Sequence, residues 1–137
     1  MGWLTRLKRR QSPRAPLEVA KASIEAINTR AWDALADLLA DDFHFKDGHS
    51  HRVDGPEAYL AAIRNLVSEV PDFELRIDSY DVEQDVVIMR GSSYAAPHSF
   101  RTAAVWRLGV VEGRITYLHN FRANSNLRLY RYARGRP

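Results

Sequence analysis

The apolar residues of this 137-residue chain change their spacing once, and that change constrains the fold more than any other feature of the sequence. From Leu17 to Val70 they recur mainly at intervals of three and four, the spacing of helices that bury one stripe; from Phe73 onward they recur mainly every second residue, the spacing of strands that bury one face. Helices first and hairpin-linked strands after predicts an α+β domain in which helices pack on a curved, mostly antiparallel sheet. The βαβ alternation that builds a parallel sheet is absent. Hydrophobic residues make up 45% of the chain, enough for one core at this length, and one domain is expected over residues 17–123 between tails at 1–16 and 124–137.

Leu17, Ala20, Ile24 and Ile27 predict a first helix opening at Pro16, with Glu18 near the positive end of its dipole. Trp32, Leu35, Leu38 and Leu39 predict a second, ending at Asp41-Asp42. Phe43 and Phe45 alternate with His44 and Lys46 in a short strand, Asp47-Gly48 signals a turn, and His51-Arg52-Val53 returns. Asp54-Gly55-Pro56 opens a third helix with Tyr59, Leu60, Ile63, Leu66, Val67 and Val70 on its inner stripe. Four strands follow. The first carries an apolar phase slip that predicts a bulge near Ser79; the second starts at Val86, where the Val86–Met89 run predicts burial on both faces. The third spans about Ser99 to Leu108 and the fourth Arg114 to Arg122.

Strand parity nominates a site. Asp47 falls on the face of Phe43 and Phe45, where loss of hydration would raise its pKa and make it a general base; the same aspartate could instead cap the Asp-Gly turn. On the last strand Thr116, Leu118 and Asn120 share the inner face in one register, and a slip of one residue replaces Asn120 by His119 as the acid or base. Phe100, Thr102, Ala104, Trp106 and Leu108 share a face of the third strand. With Trp32, Phe43, Phe45, Tyr59, Met89 and Leu118 they would line an apolar cavity for a small hydrophobic molecule. His44, Asp47, His49 and His51 have ligand chemistry, but His44 and Asp47 point to opposite faces, so no metal site is expected. His98 is placed in a loop that could overhang the cavity mouth.

Charge separates the ends from the body. Arg6, Lys8, Arg9, Arg10 and Arg14 near the start and Arg128, Arg131, Arg134 and Arg136 near the end outnumber the chain's net +3, so the body between is acidic. The interleaved Leu127–Arg134 stretch has the composition of a single-stranded nucleic acid or anionic membrane contact, although solvated tails are the simpler expectation. Nothing approaches the run of about 20 apolar residues that spans a bilayer, the hydroxyl needed for myristoylation sits one place early at Thr5, and there are no cysteines; a cytoplasmic location is the simplest expectation.

The order of elements, with Ala40-Asp41-Asp42-Phe43, the strand ending at Asp47, Val53-Asp54-Gly55-Pro56-Glu57-Ala58 opening a helix, and the Gly113-Arg114-Ile115 turn, resembles the SnoaL-like, polyketide cyclase-like branch of the nuclear transport factor 2-like superfamily over about residues 17 to 123. That resemblance implies a cone-shaped fold, cofactor-free isomerase, cyclase or lyase chemistry or a non-catalytic binding or assembly role, and a homodimer through the sheet. It matches Asp47 to the general base of ketosteroid isomerase-like enzymes and requires a tyrosine and a protonated aspartate as oxyanion donors. Ser23 and Ala104 stand where those donors would be, so ketosteroid isomerase activity itself is not expected.

Overall fold

The computed structural model describes residues 13–94 and 101–122. Helix α1, Pro16–Thr29, starts with proline at its first turn, and the Glu18 carboxylate accepts the Ala15 N–H at 3.2 Å. Its buried stripe is Val19, Ala20, Ser23, Ala26 and Ile27, rotated from the expected one, so that Leu17 and Ile24 are only half-buried. This face of small residues packs over three strands of the sheet. Arg30 ends the helix in the left-handed region at φ 62°.

Helix α2, Trp32–Asp37, is shorter than expected, because strand β1, Leu39–Asp47, begins four residues before Phe43. Pairing with a distant strand takes this segment away from the helix: Leu39 registers with Ile115, and the Leu38 carbonyl accepts the Ile115 N–H at 2.7 Å. Strand β2, Arg52–Asp54, completes the expected hairpin; its turn places Ser50, not Gly48, at positive φ. Helix α3, Pro56–Glu69, follows Gly55 at φ 93°, a conformation open to glycine, and buries Tyr59, Ala62, Ile63 and Leu66.

Strands β3, Glu74–Glu83, β4, Val86–Tyr94, β5, Arg101–Val111, and β6, Arg114–Arg122, complete a curved, open sheet ordered β2-β1-β6-β5-β4-β3. Only the β1–β6 pair is parallel. The expected bulge lies between Ile77 and Ser79. In β4 the alternation is stronger than expected: Val87 and Met89 are buried, whereas Val86 and Ile88 are half-buried. One correction shapes the site. The register shifts between Gly109 and Val110, so Ile115 and Leu118 face the same core although three residues apart, and Thr116 becomes the extra residue, its hydroxyl donating to the Gly109 carbonyl at 3.3 Å. Thr116 therefore does not share the inner face with Leu118 and Asn120. Residues 1–12 of the first tail, the whole of the second, His98 and Phe100 lie outside the described residues.

Candidate functional site

Helices and sheet enclose a cavity of about 50 Å³. A water needs roughly 10–15 Å³ by this measure, so the space admits a few waters or a small flat group. Its walls include Phe43, Phe45, Tyr59, Met89, Trp106, Leu108 and Leu118, all expected to line it, whereas Ala104, also expected there, is buried but not among them. Trp32 and Thr102 do not line it: Trp32 packs half-buried against the core from α2, and Thr102 is half-buried beside Ser93, two positions along β5 from Ala104 and four from Trp106. Ile24, Ile27, Leu35, Ile63, Leu66, Phe73 and Leu75 complete the helix side and the β3 edge; their periodicity marked them as core, and nothing local distinguishes core from lining.

A row of residues in register crosses the concave side of the sheet: Asp47 beside Asn120, Asn120 beside Trp106, Trp106 beside Met89, and Met89 beside Tyr80. Asn120 is buried at 6% exposure and lines the cavity, so the register places Asn120 inside and His119 outside. On the outer face His119 Nε2 lies 3.2 Å from His44 Nε2, and Tyr117 stacks on the His44 ring and lies tilted against that of His119. Burial, reinforced by neighbouring Arg52 and Lys46, holds His44 below an ordinary imidazole. Burial, with His44, Lys46 and Arg107 close by, does the same for His119. Two outward positions on adjacent strands were the sequence signal for this pair.

Asp47 has its inward parity, but its carboxylate is held by the turn. Oδ1 accepts the backbone N–H groups of His49 and His51 at 2.8 and 3.0 Å, and Oδ2 lies 3.1 Å from His51 Nδ1. Asp47 is not among the residues that wall the cavity. Burial pushes its pKa up, but those hydrogen bonds outweigh it and leave the group below the usual aspartate value. The expected rise is therefore corrected to a fall, because hydrogen bonds to a carboxylate favour its charged form.

The two positions that lack the resemblance's donors are accounted for locally. Ser23 reaches the cavity, but its hydroxyl donates to the Ala20 carbonyl at 2.7 Å, and Ala104 is buried and apolar. A different donor stands in α3. Tyr59 is 3% exposed, its ring lies 5.0 Å from Phe43 and 5.8 Å from Phe45, and among the described residues its hydroxyl makes no hydrogen bond. Burial pushes the phenol above its ordinary range, so it stays protonated. No group of three or more metal-ligating side chains converges among the described residues.

A family model described as a SnoaL-like domain matches residues 20–118. Among curated protein sequences none matches. Solved structures with the same fold include a candidate ketosteroid isomerase from Kribbella flavida, at 23% identity and TM-score 0.70, covering 81% of this chain and 79% of that one. An LEH-like epoxide hydrolase of M. tuberculosis aligns at 18% identity and TM-score 0.70, over 78% and 81% of the two chains. A cystatin-like-fold protein of unknown function from Xanthomonas campestris aligns at 19% identity and TM-score 0.73, over 81% and 92%. At these identities the likeness establishes the fold.

Proposed function

The chain belongs to the SnoaL-like domain family, and on that premise we propose that its cavity binds a small, hydrophobic, carbonyl-bearing molecule and moves protons next to that carbonyl without a cofactor. The observation that carries this reading is Tyr59, a buried phenol facing an apolar cavity with no hydrogen-bond acceptor among the described residues. A ligand oxygen that accepted from this hydroxyl would gain a hydrogen bond in surroundings that are otherwise apolar. The Asn120 side chain offers a second polar contact in the same cavity. Aromatic and aliphatic walls with a few placed polar groups are the usual make-up of a small-molecule site. The chemistry fits the isomerase, cyclase or dehydratase type, with Asp47 and its neighbours at the polar end of the row.

The matched pair 1-indanone and indene tests the binding claim, since they differ mainly by the carbonyl. Titration calorimetry is expected to favour the ketone about tenfold in the wild-type protein, and Tyr59→Phe is expected to remove most of that preference. Equal affinity for both compounds would refute the reading. A second reading, a non-catalytic ligand-binding or dimerisation module, draws support from the hold of the turn on the Asp47 carboxylate. It predicts binding with no product by mass spectrometry.

A further inference from the structure

We propose that His51 is the proton acceptor of this cavity and that Asp47 is its positioning residue. The inference rests on the cavity reading above and assigns the chemistry at its rim. In the β1–β2 hairpin Phe45 pairs with Val53 and Lys46 with Arg52, and the Asp47 N–H donates to the His51 carbonyl at 3.0 Å, which carries the pairing on to Asp47 and His51. Phe45 and Val53 are both buried in the core, so alternation returns Asp47 and His51 to their side of the sheet. Asp47 is also the register partner of Asn120, which lines the cavity. His51, Asp47 and Asn120 thus form one end of the concave row.

The geometry orders the two groups. Two backbone N–H groups fix the carboxylate through Oδ1 and aim Oδ2 at His51 Nδ1. An ionised carboxylate only accepts, so the proton of a neutral imidazole sits on Nδ1 and the lone pair on Nε2. The His51 side chain is 39% exposed and that of Asp47 11%, which leaves the imidazole as the member a substrate can reach. A carboxylate stabilised by three donors is a weak proton acceptor. The imidazole, oriented through Nδ1 by that carboxylate, instead presents Nε2 as the acceptor. In the step, Nε2 takes a proton from the carbon next to the ligand carbonyl, the C–H electron pair becomes the enolate double bond, and the charge moves to the oxygen held by Tyr59 and Asn120. Return of the proton to another carbon completes an isomerisation with no redox change. The charged and titratable neighbours of His51 among the described residues include Asp47 on β1 and His49 in the turn, with Lys46 and Arg52 on the opposite side of the strands and Arg52 paired to Asp54.

The test uses 5-nitrobenzisoxazole, a flat apolar probe. A base removes its ring C–H proton as the N–O bond breaks, releasing a coloured 2-cyano-4-nitrophenolate. Wild-type protein is expected to turn it over faster than equimolar free imidazole. His51→Ala and His51→Gln are expected to lose about 100-fold, and added imidazole to restore turnover in the alanine variant. Asp47→Asn is expected to lower kcat while leaving KM unchanged, whereas loss of a purely structural turn contact would raise KM as well. Wild-type rates in both folded His51 variants would overturn the proposal. So would a rate that follows ionisation below about pH 5 and vanishes in Asp47→Asn, which would make the carboxylate itself the base. Probe binding without turnover above free imidazole overturns the base assignment and leaves the cavity reading standing, whereas no thermal shift with the probe overturns both.

Discussion

At the scale of single residues, three titratable groups tie stability to pH in calculable directions. His44 and His119 bind protons less readily folded than unfolded, because burial disfavours their charged forms and cations crowd them. Between the ordinary value of 6.5 and their lower folded values, the unfolded chain therefore holds more protons. Stability is full above that value and falls as the pH drops through it. Urea unfolding at pH 7.5 and 5.5 should show this loss, and the double variant His44→Gln, His119→Gln should flatten it. Asp47 acts in a lower window. Its folded pKa lies below the ordinary 3.8, so the stability it contributes is present above 3.8 and is lost as the pH falls below it. Asp47→Ala removes the acceptor of two backbone N–H groups on a largely buried side chain and should cost about 1–2 kcal/mol at pH 7, read from the urea midpoint. The sequence offered both roles of Asp47, base and turn cap, and could not rank them. Which N–H groups approach a carboxylate depends on the path of the following four residues.

At the scale of elements, the α1–β3 contact is fixed by one side chain that behaves like a strand. Asn28 donates from Nδ2 to the Leu75 carbonyl at 2.8 Å and accepts the Leu75 N–H on Oδ1 at 2.9 Å, so both free backbone groups of one edge residue are satisfied by a helix. Next to it Arg30 donates to the Pro71, Phe73 and Ile27 carbonyls. Asn28→Ala leaves the Leu75 groups without these partners and should lower stability by about 1–3 kcal/mol in chemical denaturation; an unchanged midpoint would mean that water replaces the amide without loss. In the neighbouring pair, Gly91 sits beside the β3 bulge, and a Cβ there would come within 1.9 Å of the Arg76 carbonyl oxygen. Only glycine permits the two backbones to approach so closely. The bulge was legible as a slip in the apolar phase of β3, but the requirement at Gly91 was not, since it arises from the facing strand of the hairpin.

At the scale of the whole molecule, the sheet presents two unlike faces. The concave face carries the cavity; the outer face carries His44, Tyr117 and His119 and, at 49% exposure, Phe121 beside Val105. A homodimer formed through this outer face is expected to dissociate in Phe121→Glu, measured by light scattering coupled to size exclusion, and a wild-type monomer at high concentration would refute that assembly. Among the described residues no helix is long and apolar enough to cross a membrane. The order of elements, the hairpin at Asp47-Gly48, and the inward parity of Phe43, Phe45 and Trp106 were determined by the sequence alone, because alternation and turn chemistry are written in neighbouring residues. Tertiary structure decided the early start of β1, the extra residue at Thr116, the register that puts Asn120 and not His119 inside, and the hold of the His49–His51 turn on Asp47. Bulges and hydrogen bonds of this kind arise where segments distant in sequence or turns of particular shape meet, and no local period records which partner a backbone group will find.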